Sequence, residues 1–452
     1  MSASNRRSGL PSRRQGWAAA ICLATAAAIP LVGEQEKPRH MHGPTLAPRV
    51  GEVRGPVGGV SATPTVAFDR EGRLRAAWFE ASHVYVSSSG DEGRTFASAV
   101  RLTRDSEDVD ANGEGRPKIA LARNGDVYAS WTRKGKKPFT GDIRFARSLD
   151  GGRTFSAPTT VNDDGLEIGH RFDALHVTQG GIIYLAWIDK RDLEKAESAG
   201  RDYVGAALYY TVSTDRGRTF SANRKIKDQV CECCRIAVAF DGEFPVLFWR
   251  DIFDGTTRDH GLVRFTGPDS PGVPRRATMD GWEIDACPHH GPSLSISSDG
   301  LYHMVWFTGH GPDGPGAFYA RSADRGRTLT TPMRIGSRET FGHADVLSRG
   351  PVVHVAWKEA AQPQGMSVQL LKSADGGRTW SSPVEALRTT GTSDHPFLIA
   401  RSGDVFLSWF TAAEGLRVVN VEARSVPVTA AVSAAGPTGP APLQLSRRRR
   451  DR

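Results

Sequence analysis

The chain of 452 residues is 39% hydrophobic and 24% charged, which is the composition of a globular protein rather than of a disordered chain. Its net charge of +8 comes from its two ends, because residues 1–33 carry four arginines and no acid, and residues 446–452 carry five arginines and one aspartate. The remainder is therefore neutral, which argues against a nucleic-acid-binding surface spread over the fold.

The N-terminal residues predict an export signal. Arginines precede an apolar, alanine-rich run from Trp17 to Val32, which is shorter than the about 20 residues that span a bilayer. The segment Ser12–Trp17 resembles a twin-arginine signal, and an uncleaved anchor is the alternative. We therefore expect residues 1–33 to direct the protein to the periplasm or the extracellular space, with no transmembrane span after their removal.

Three further segments are predicted after the signal. Residues 34–59 form a linker or a strand that closes the fold, and residues 60–432 form one repetitive domain. Residues 433–452 are rich in Ala, Gly, Pro and Ser and end in arginines, which is typical of a disordered basic tail.

One octapeptide of the form Ser-x-Asp-x-Gly-x-Thr-aromatic recurs five times, with Leu in place of the aromatic residue in the fourth copy. Its serine and aspartate side chains can bond the backbone of a turn, and its glycine permits a positive φ, so we expect it to stabilise turns. The copies are Ser89–Phe96, Ser148–Phe155, Ser213–Phe220, Ser322–Leu329 and Ser373–Trp380, and their aspartates are Asp91, Asp150, Asp215, Asp324 and Asp375.

A second repeat is a pair of short apolar strands, of which the second ends in tryptophan. Apolar and polar residues alternate in segments such as Val127–Trp131 and Val353–Trp357. Four strands in about 50 residues are typical of a propeller blade. The sequence thus predicts an all-β, seven-bladed β-propeller, with six blades as the alternative and no helix of useful length. The seven tryptophans are Trp78, Trp131, Trp187, Trp249, Trp306, Trp357 and Trp409.

The octapeptide resembles the Asp-box of the sialidase-like, or BNR-repeat, propellers, over about residues 60–425. The resemblance implies their fold and says little about activity, because fold and site are separable. The seventh unit lacks the octapeptide, and we expect its outer strand to come from the segment before Ser61 or from Val428–Val432.

The catalytic residues of sialidases are incomplete in this chain. Sialidases use a tyrosine nucleophile, and the family also uses an arginine triad for the substrate carboxylate, a glutamate beside the tyrosine and an aspartic acid. The first arginine normally precedes a proline at the start of the first blade, where this chain reads Ala62-Thr63-Pro64. The nucleophile comes late in the chain, whereas the last tyrosine here is Tyr319, in a strand that should pack. We therefore expect no sialidase activity.

Strand directions alternate within a blade, so the residues before each first strand should converge on one face of the ring, opposite the octapeptides. We call this the top face. Five of the 13 histidines and four of the five cysteines lie at these positions, and convergent polar groups are the usual sign of a site. The candidate ligand-binding residues are Arg116, His170, Arg171, Asp173, Arg235, Asp345 and Asp394.

The cysteines of the top face have two interpretations. An even number of cysteines in an exported protein favours two disulfides. One would join Cys287 to the cluster Cys231, Cys233 and Cys234 of the neighbouring blade, and the other would lie within that cluster. The alternative is metal ligation by thiolates and imidazoles, which suits copper or zinc.

The histidines of the top face also have two interpretations. A transition-metal centre, with copper or zinc as its ion, could form from four of them, and the alternative is a set of hydrogen-bonding side chains. The candidate metal ligands are His289, His290, His343 and His395.

These patterns predict an exported propeller with a ligand-binding or enzymatic site at the top of the central funnel. If the cysteines or histidines bind a metal ion, this site is metal-dependent. The alternatives are a sialidase-like glycoside hydrolase and a non-enzymatic scaffold that binds proteins or glycans, for which the charged insertion Asp189–Val204 is a candidate surface. The expected partner is a small molecule or a glycan and not a nucleic acid, and the chain is expected to be a monomer.

Overall fold

The computed structural model describes residues 63–338, 340 and 342–422. The predicted export signal, the segment 34–59 and the basic tail lie outside these residues. Within them, no helix has the length and apolar character of a membrane span.

The described residues form seven antiparallel sheets, which we number as blades one to seven in chain order. Blades one to three consist of β1 (Thr65–Phe68), β2 (Leu74–Glu80), β3 (His83–Ser89) and β4 (Val100–Arg101); β5 (Lys118–Leu121), β6 (Val127–Lys134), β7 (Gly141–Ser148) and β8 (Thr159–Thr160); and β9 (His170–Val177), β10 (Ile183–Asp189), β11 (Ala206–Ser213) and β12 (Arg224–Val230).

Blades four to seven follow the same order of strands. They consist of β13 (Ala237–Asp241), β14 (Phe244–Arg250), β15 (His260–Gly267) with β16 (Ser270–Pro271) and β17 (Arg275–Arg276); β18 (Ser293–Ile296), β19 (Tyr302–Thr308), β20 (Gly316–Ser322) and β21 (Met333–Ile335); β22 (Asp345–Arg349), β23 (Val352–Ala360), β24 (Met366–Ser373) and β25 (Val384–Thr389); and β26 (Phe397–Arg401), β27 (Asp404–Thr411) and β28 (Gly415–Asn420).

The first strands of the blades form a closed ring. Contacts run in the order β1, β5, β9, β13, β18, β22 and β26 and then return to β1, so seven blades surround one axis. This confirms the predicted seven-bladed propeller and excludes the six-bladed alternative. Blade seven has three strands within the described residues, and both segments predicted to supply its outer strand lie beyond them.

Each of the seven tryptophans lies on the second strand of its blade, and each is at most 1% exposed. The indole rings pack between neighbouring sheets, for example Trp187 with Ile143 and Tyr209. Each second strand continues one to three residues beyond its tryptophan. In blade three the residue two positions beyond, Asp189, accepts a hydrogen bond from Trp187 Nε1 through its Oδ2 at 2.8 Å. The tryptophan repeat is therefore the core of the ring.

The octapeptides form the turns between third and fourth strands, at the end of the blade opposite the top face. In Ser148–Phe155, Asp150 Oδ1 accepts hydrogen bonds from Ser148 Oγ (2.7 Å) and the Thr154 amide (3.0 Å), and Oδ2 accepts one from Thr154 Oγ1 (2.6 Å). The other four copies repeat the bond between serine and aspartate. In all five copies the aspartate therefore bonds the serine of its own turn.

One helix, α1 (Arg191–Ser198), lies in the insertion between β10 and β11, where the sequence analysis expected no helix. Its residues are mostly good helix formers, with Asp192 and Glu194 in the first turn, where carboxylates are favoured by the helix dipole. The helix shows no amphipathic run of several turns because only Arg191 and Ala196 are buried, which explains why periodicity did not reveal it.

Candidate functional site

The carboxylate of Glu114, from the loop before β5, lies at the centre of the top face. One oxygen accepts hydrogen bonds from the backbone amides of Arg235 (2.6 Å) and Gly291 (3.2 Å). The other lies 3.2 Å from His343 Nδ1 and 3.7 Å from His395 Nδ1. Burial opposes the charge, but the hydrogen bond from His343 and the charge of Arg235 lower the pKa of Glu114 to about 2. One ionised side chain of blade two thus contacts blades four, five, six and seven.

Two buried arginines lie beside Phe397. The guanidinium carbons of Arg116 and Arg235 are 4.5 and 5.2 Å from the centre of its ring. Arg116 Nη2 forms an ion pair with Asp394 Oδ1 at 2.5 Å. In the described part of the chain Arg235 has no carboxylate within ion-pair distance. Its Nε and Nη2 donate to two backbone carbonyl groups at 3.1 and 3.0 Å, and its Nη1 is buried without a hydrogen-bond partner.

A cavity of about 350 Å³ lies on the axis against these arginines. All seven blades contribute to it, mainly through their first strands, and its walls are largely apolar. Its charged and polar lining residues include Glu114, Arg116, Lys118, His176, Arg235 and Asp345. The sequence-predicted residues Arg116, Arg235 and Asp345 therefore share one cavity.

The cavity holds more positive than negative charge. Burial, opposed by Asp173 and reinforced by the charge of Arg116, lowers the pKa of Lys118 to about 8, so the amine is largely protonated at neutral pH. Burial raises the pKa of Asp345, whose oxygens accept hydrogen bonds from Ser293 Oγ (2.6 Å) and the Leu398 amide (2.7 Å). Burial thus weakens the negative charge of the lining.

Two predicted ligand-binding aspartates stand behind the cavity lining. Asp173 accepts a hydrogen bond from Ser130 Oγ at 2.5 Å, and burial raises its pKa. Asp394 is paired with Arg116. Each carboxylate has a partner within the protein through one oxygen, whereas Asp173 Oδ1 and Asp394 Oδ2 are buried without a hydrogen-bond partner.

Three of the predicted metal-ligating histidines lie ring against ring, with His343 and His395 stacked and His290 tilted by 41° against His343. The ring centres of His343 and His395 are 3.5 Å apart with an interplanar angle of 19°, and those of His290 and His343 are 4.7 Å apart. A metal ion bonds imidazole through a nitrogen lone pair in the ring plane, so rings that meet face to face do not both direct lone pairs to one ion. The nitrogens of His343 and His395 lie within 4.8 Å of a Glu114 oxygen, yet the stacking does not fit a metal site.

The fourth predicted histidine, His289, faces the cysteines. Its Nδ1 lies 3.1 Å from the carbonyl oxygen of Cys233, for which it is the donor. The structure therefore divides the predicted metal set into a group of three histidines and a separate residue.

Three cysteines form a buried cluster before β13. The Sγ atoms of Cys231 and Cys233 are 3.6 Å apart, those of Cys233 and Cys234 are 3.7 Å apart, and all three lie within 4.8 Å of one another. Cys287 is exposed, and its contact with the Cys233 thiol lowers its pKa. All four thiols are free, whereas a disulfide requires about 2.05 Å, so the two predicted bridges are not observed.

A pocket of about 250 Å³ opens beside this cluster on the top face. Arg171 lies in its wall and forms an ion pair with Asp110 at 2.6 Å. Phe139 is 75% exposed at the same pocket. The lining residues are Phe139, Gly169, Arg171, Ile188, Lys190, Glu232, Cys233, Cys287 and His289.

His170, another predicted ligand-binding residue, lies away from both cavities. Its ring is fully buried, with Nδ1 2.8 Å from the Gly141 carbonyl oxygen and Nε2 3.0 Å from Asp164 Oδ2. Burial disfavours the charged ring, but the hydrogen bond to Asp164 and the charge of Asp189 raise the pKa of His170. Arg191 of α1 joins both of these carboxylates, so His170 belongs to a structural network of charges.

The predicted ligand-binding residues did not include Glu114, Lys118 or Phe397. Glu114 precedes Arg116 by two residues, but its partners, from Arg235 to His395, are 121 to 281 residues away, so no local pattern marks it. The position of Lys118 at the start of a first strand was a usable signal, because such positions face the axis.

Comparisons with known proteins identify the fold. No family model matches the chain, and no curated protein matches its sequence. Among solved structures, it is similar to a polysaccharide lyase, an ulvan lyase bound to -[GlcA(1-4)Rha3S]-, with a TM-score of 0.51 and 13% identity over 82% of this chain and 94% of that chain. The shared fold is the seven-bladed β-propeller. At 13% identity this similarity shows a shared fold alone.

Two further structures are similar at lower scores. The intramolecular trans-sialidase from Ruminococcus gnavus has a TM-score of 0.44 and 11% identity, covering 69% of this chain and 95% of that chain. An α-L-arabinofuranosidase from Fusarium graminearum has a TM-score of 0.46 and 14% identity, covering 83% of this chain and 95% of that chain.

The last tyrosine of the chain lies in the packed core of blade five. Tyr319 lies on the third strand of blade five and is 3% exposed. Its hydroxyl is 2.8 Å from His303 Nδ1, and its ring packs against Trp380 at 4.8 Å. No tyrosine is among the residues that line the axial cavity. Ala62, which stands where sialidases have an arginine, lies outside the described residues.

Proposed function

We propose that this is an exported propeller that binds the carboxylate of an acidic sugar in its axial cavity. The observation that carries the proposal is Arg235, a residue of the cavity lining whose guanidinium has no ion-pair partner in the described chain and whose buried Nη1 has no hydrogen-bond partner. An unpaired buried donor costs about 1–3 kcal/mol, and a bound anion would remove that cost.

The charge of the lining supports an anionic ligand. Arg235 and Lys118 carry positive charge into the cavity, whereas the charge of Arg116 is already matched by Asp394. Glu114 is the ionised acid of the lining. Burial raises the pKa of Asp345, which favours the neutral form of that side chain. A carboxylate beside Arg235 would therefore meet a net positive environment of low dielectric constant.

The size and walls of the cavity support a sugar as the carrier of that carboxylate. Its volume of about 350 Å³ lies at the lower end of the range of small-molecule pockets, about 300–1,000 Å³. The apolar walls suit the C–H faces of a pyranose ring, and Asp345 and Glu114 offer acceptors for its hydroxyl groups. The ulvan lyase of similar fold was solved with a ligand that contains GlcA, which supports the same class of ligand here.

The experiment is a binding titration of the full chain with glucuronate, using glucose as the uncharged counterpart. We expect glucuronate to bind and glucose to bind at least ten-fold more weakly, because only glucuronate supplies the anion for Arg235. The variant Arg235→Gln should lose this preference, since amide donors do not carry the charge.

Arg75→Gln is the matched control. Arg75 is as buried as Arg235 but lies at the octapeptide end of the ring, where it pairs with Asp69. We expect Arg75→Gln to retain the preference for glucuronate. Equal binding of the two sugars by the native chain, or an unchanged preference in a folded Arg235→Gln, would refute the proposal.

A further inference from the structure

We infer that Cys231, Cys233, Cys234 and Cys287 form a binding site for one thiophilic metal ion, zinc or copper(I), on the top face between blades four and five. This site is separate from the axial cavity, and it holds whether or not the cavity binds a sugar. The inference also replaces the predicted disulfides, for which the four free thiols give no support.

The distances between the sulfur atoms suit a shared metal ion. Zinc bonds cysteine sulfur at about 2.3 Å, so two sulfurs of a tetrahedral site are about 3.8 Å apart. The pairs Cys231–Cys233 and Cys233–Cys234 are separated by 3.6 and 3.7 Å. The third pair, Cys231 and Cys234, lies within 4.8 Å, so three thiols from four consecutive residues are close enough to share one ion.

The backbone around the cluster is held by both blades. The Cys231 amide donates to the carbonyl oxygen of Arg250 on β14 (3.2 Å), and the Cys233 carbonyl accepts from His289 Nδ1, which belongs to the loop before β18 (3.1 Å). The three cysteines are at most 3% exposed. Such a rigid and dry setting is what a preorganised metal site requires.

Two buried arginines supply the charge that a thiolate site needs. The charges of Arg250 and Arg258 act on Cys231. Both residues are buried, and within the described part of the chain neither has a carboxylate at ion-pair distance, while the Nε of each lacks a hydrogen-bond partner. A zinc ion with four thiolates carries a net charge of −2, which these two guanidinium groups would balance.

The fourth ligand lies toward solvent. Cys287 is exposed, lies outside the group of three sulfurs within 4.8 Å of one another, and lines the pocket of about 250 Å³ together with Cys233. The pocket reaches the cluster at Cys233. An ion held by the three buried sulfurs would therefore take Cys287 as its fourth ligand on this side, when the exposed side chain turns toward it. This arrangement lets the ion enter from the top face.

The experiment measures metal binding by the full chain purified under anaerobic conditions. We titrate the metal-free protein with cobalt(II) as a spectroscopic probe and with zinc(II) as its competitor. The expected result is one equivalent of cobalt with the charge-transfer absorption of thiolate coordination, displaced by one equivalent of zinc. Bound zinc should also protect all four thiols from alkylation.

The variants separate ligands from neighbours. Cys233→Ser should lower zinc affinity by at least 100-fold, since it removes the central sulfur of the cluster. Glu232→Gln, in the same turn but without a sulfur, is the matched control and should retain one equivalent. Cys287→Ser, at the exposed position, should fold even if a buried substitution does not, and should weaken binding and leave three protected thiols.

Two results would overturn the inference. One is the absence of any thiolate absorption and of any protection from alkylation in a native protein with four free thiols. The other is protein recovered from an oxidising compartment with two disulfides, no bound metal and no zinc uptake after reduction.

Discussion

At the scale of single residues, the most unusual feature is the amount of charge buried on the top face. Glu114, Arg235, Arg250 and His170 are all at least nine-tenths buried, and each is held by several hydrogen bonds. Buried charge is costly unless it is compensated, so each of these residues has either a partner in the protein or a reason to bind one. His170 has its partners, whereas Arg235 keeps a free donor.

The charge of His170 predicts a pH dependence of stability. Its pKa is raised in the folded protein, so its contribution is fully present below its unfolded pKa of about 6.5 and is lost as the pH rises through the folded pKa. We expect His170→Gln to lower the free energy of unfolding by about 1.5–3 kcal/mol at pH 6, which is typical of hydrogen bonds to charged groups, and by less at pH 9.

Urea denaturation at the two pH values measures this difference. His310→Gln, at an exposed histidine, is the control and should change stability little at either pH. A loss of stability that is larger at pH 9 than at pH 6 would contradict the assignment of a charged His170.

At the scale of elements, the turn of the octapeptide and the buried tryptophan strand are the units from which each blade is built. The octapeptide could be interpreted from sequence because the hydrogen bonds of its aspartate are local, within four residues of it. The helix α1 could not be predicted in this way, because it has no apolar stripe. Its buried Arg191 instead forms ion pairs with carboxylates outside the helix, such as that of Asp163.

Removal of one octapeptide aspartate should cost stability and not ligand binding. In blade six, Asp375 accepts hydrogen bonds from Ser373 Oγ (2.8 Å), the Thr379 amide (2.9 Å) and Thr379 Oγ1 (2.7 Å). We expect Asp375→Ala to lower the free energy of unfolding by roughly 1 kcal/mol or somewhat more. Because the turn lies at the end of the ring opposite the top face, glucuronate affinity should stay unchanged, and loss of binding at native stability would contradict its structural role.

At the scale of the whole molecule, the sequence predicted the seven blades because both repeats report local structure that recurs with each blade. It also singled out Arg116, Arg235 and Asp345, which line one cavity in the structure, because they lie just before or at the start of first strands. It could not predict which of them meet, because the contacts of Glu114 with Arg235 and His343 join residues more than 100 positions apart. The stacking of the histidines likewise depends on side-chain conformations that no spacing encodes.

The whole molecule should lack sialidase activity. Its last tyrosine is buried on blade five, and no tyrosine lines the axial cavity. We expect no release of sialic acid from a standard fluorogenic substrate above the level of a buffer control, measured with a known sialidase as the positive control. Release of sialic acid by the native chain would contradict this prediction. If that release disappeared in an Arg235→Gln variant, the cavity would perform the reaction with a nucleophile other than tyrosine.

The central claim is that the axial cavity receives an anionic sugar at Arg235, and a crystal structure of the full chain soaked with glucuronate tests it most directly. The account predicts the sugar on the axis, with a carboxylate oxygen within hydrogen-bond distance of Arg235 Nη1 and the ring against the apolar walls. A sugar bound only elsewhere on the molecule, with Arg235 Nη1 still unpartnered in a cavity that holds no anion, would contradict it.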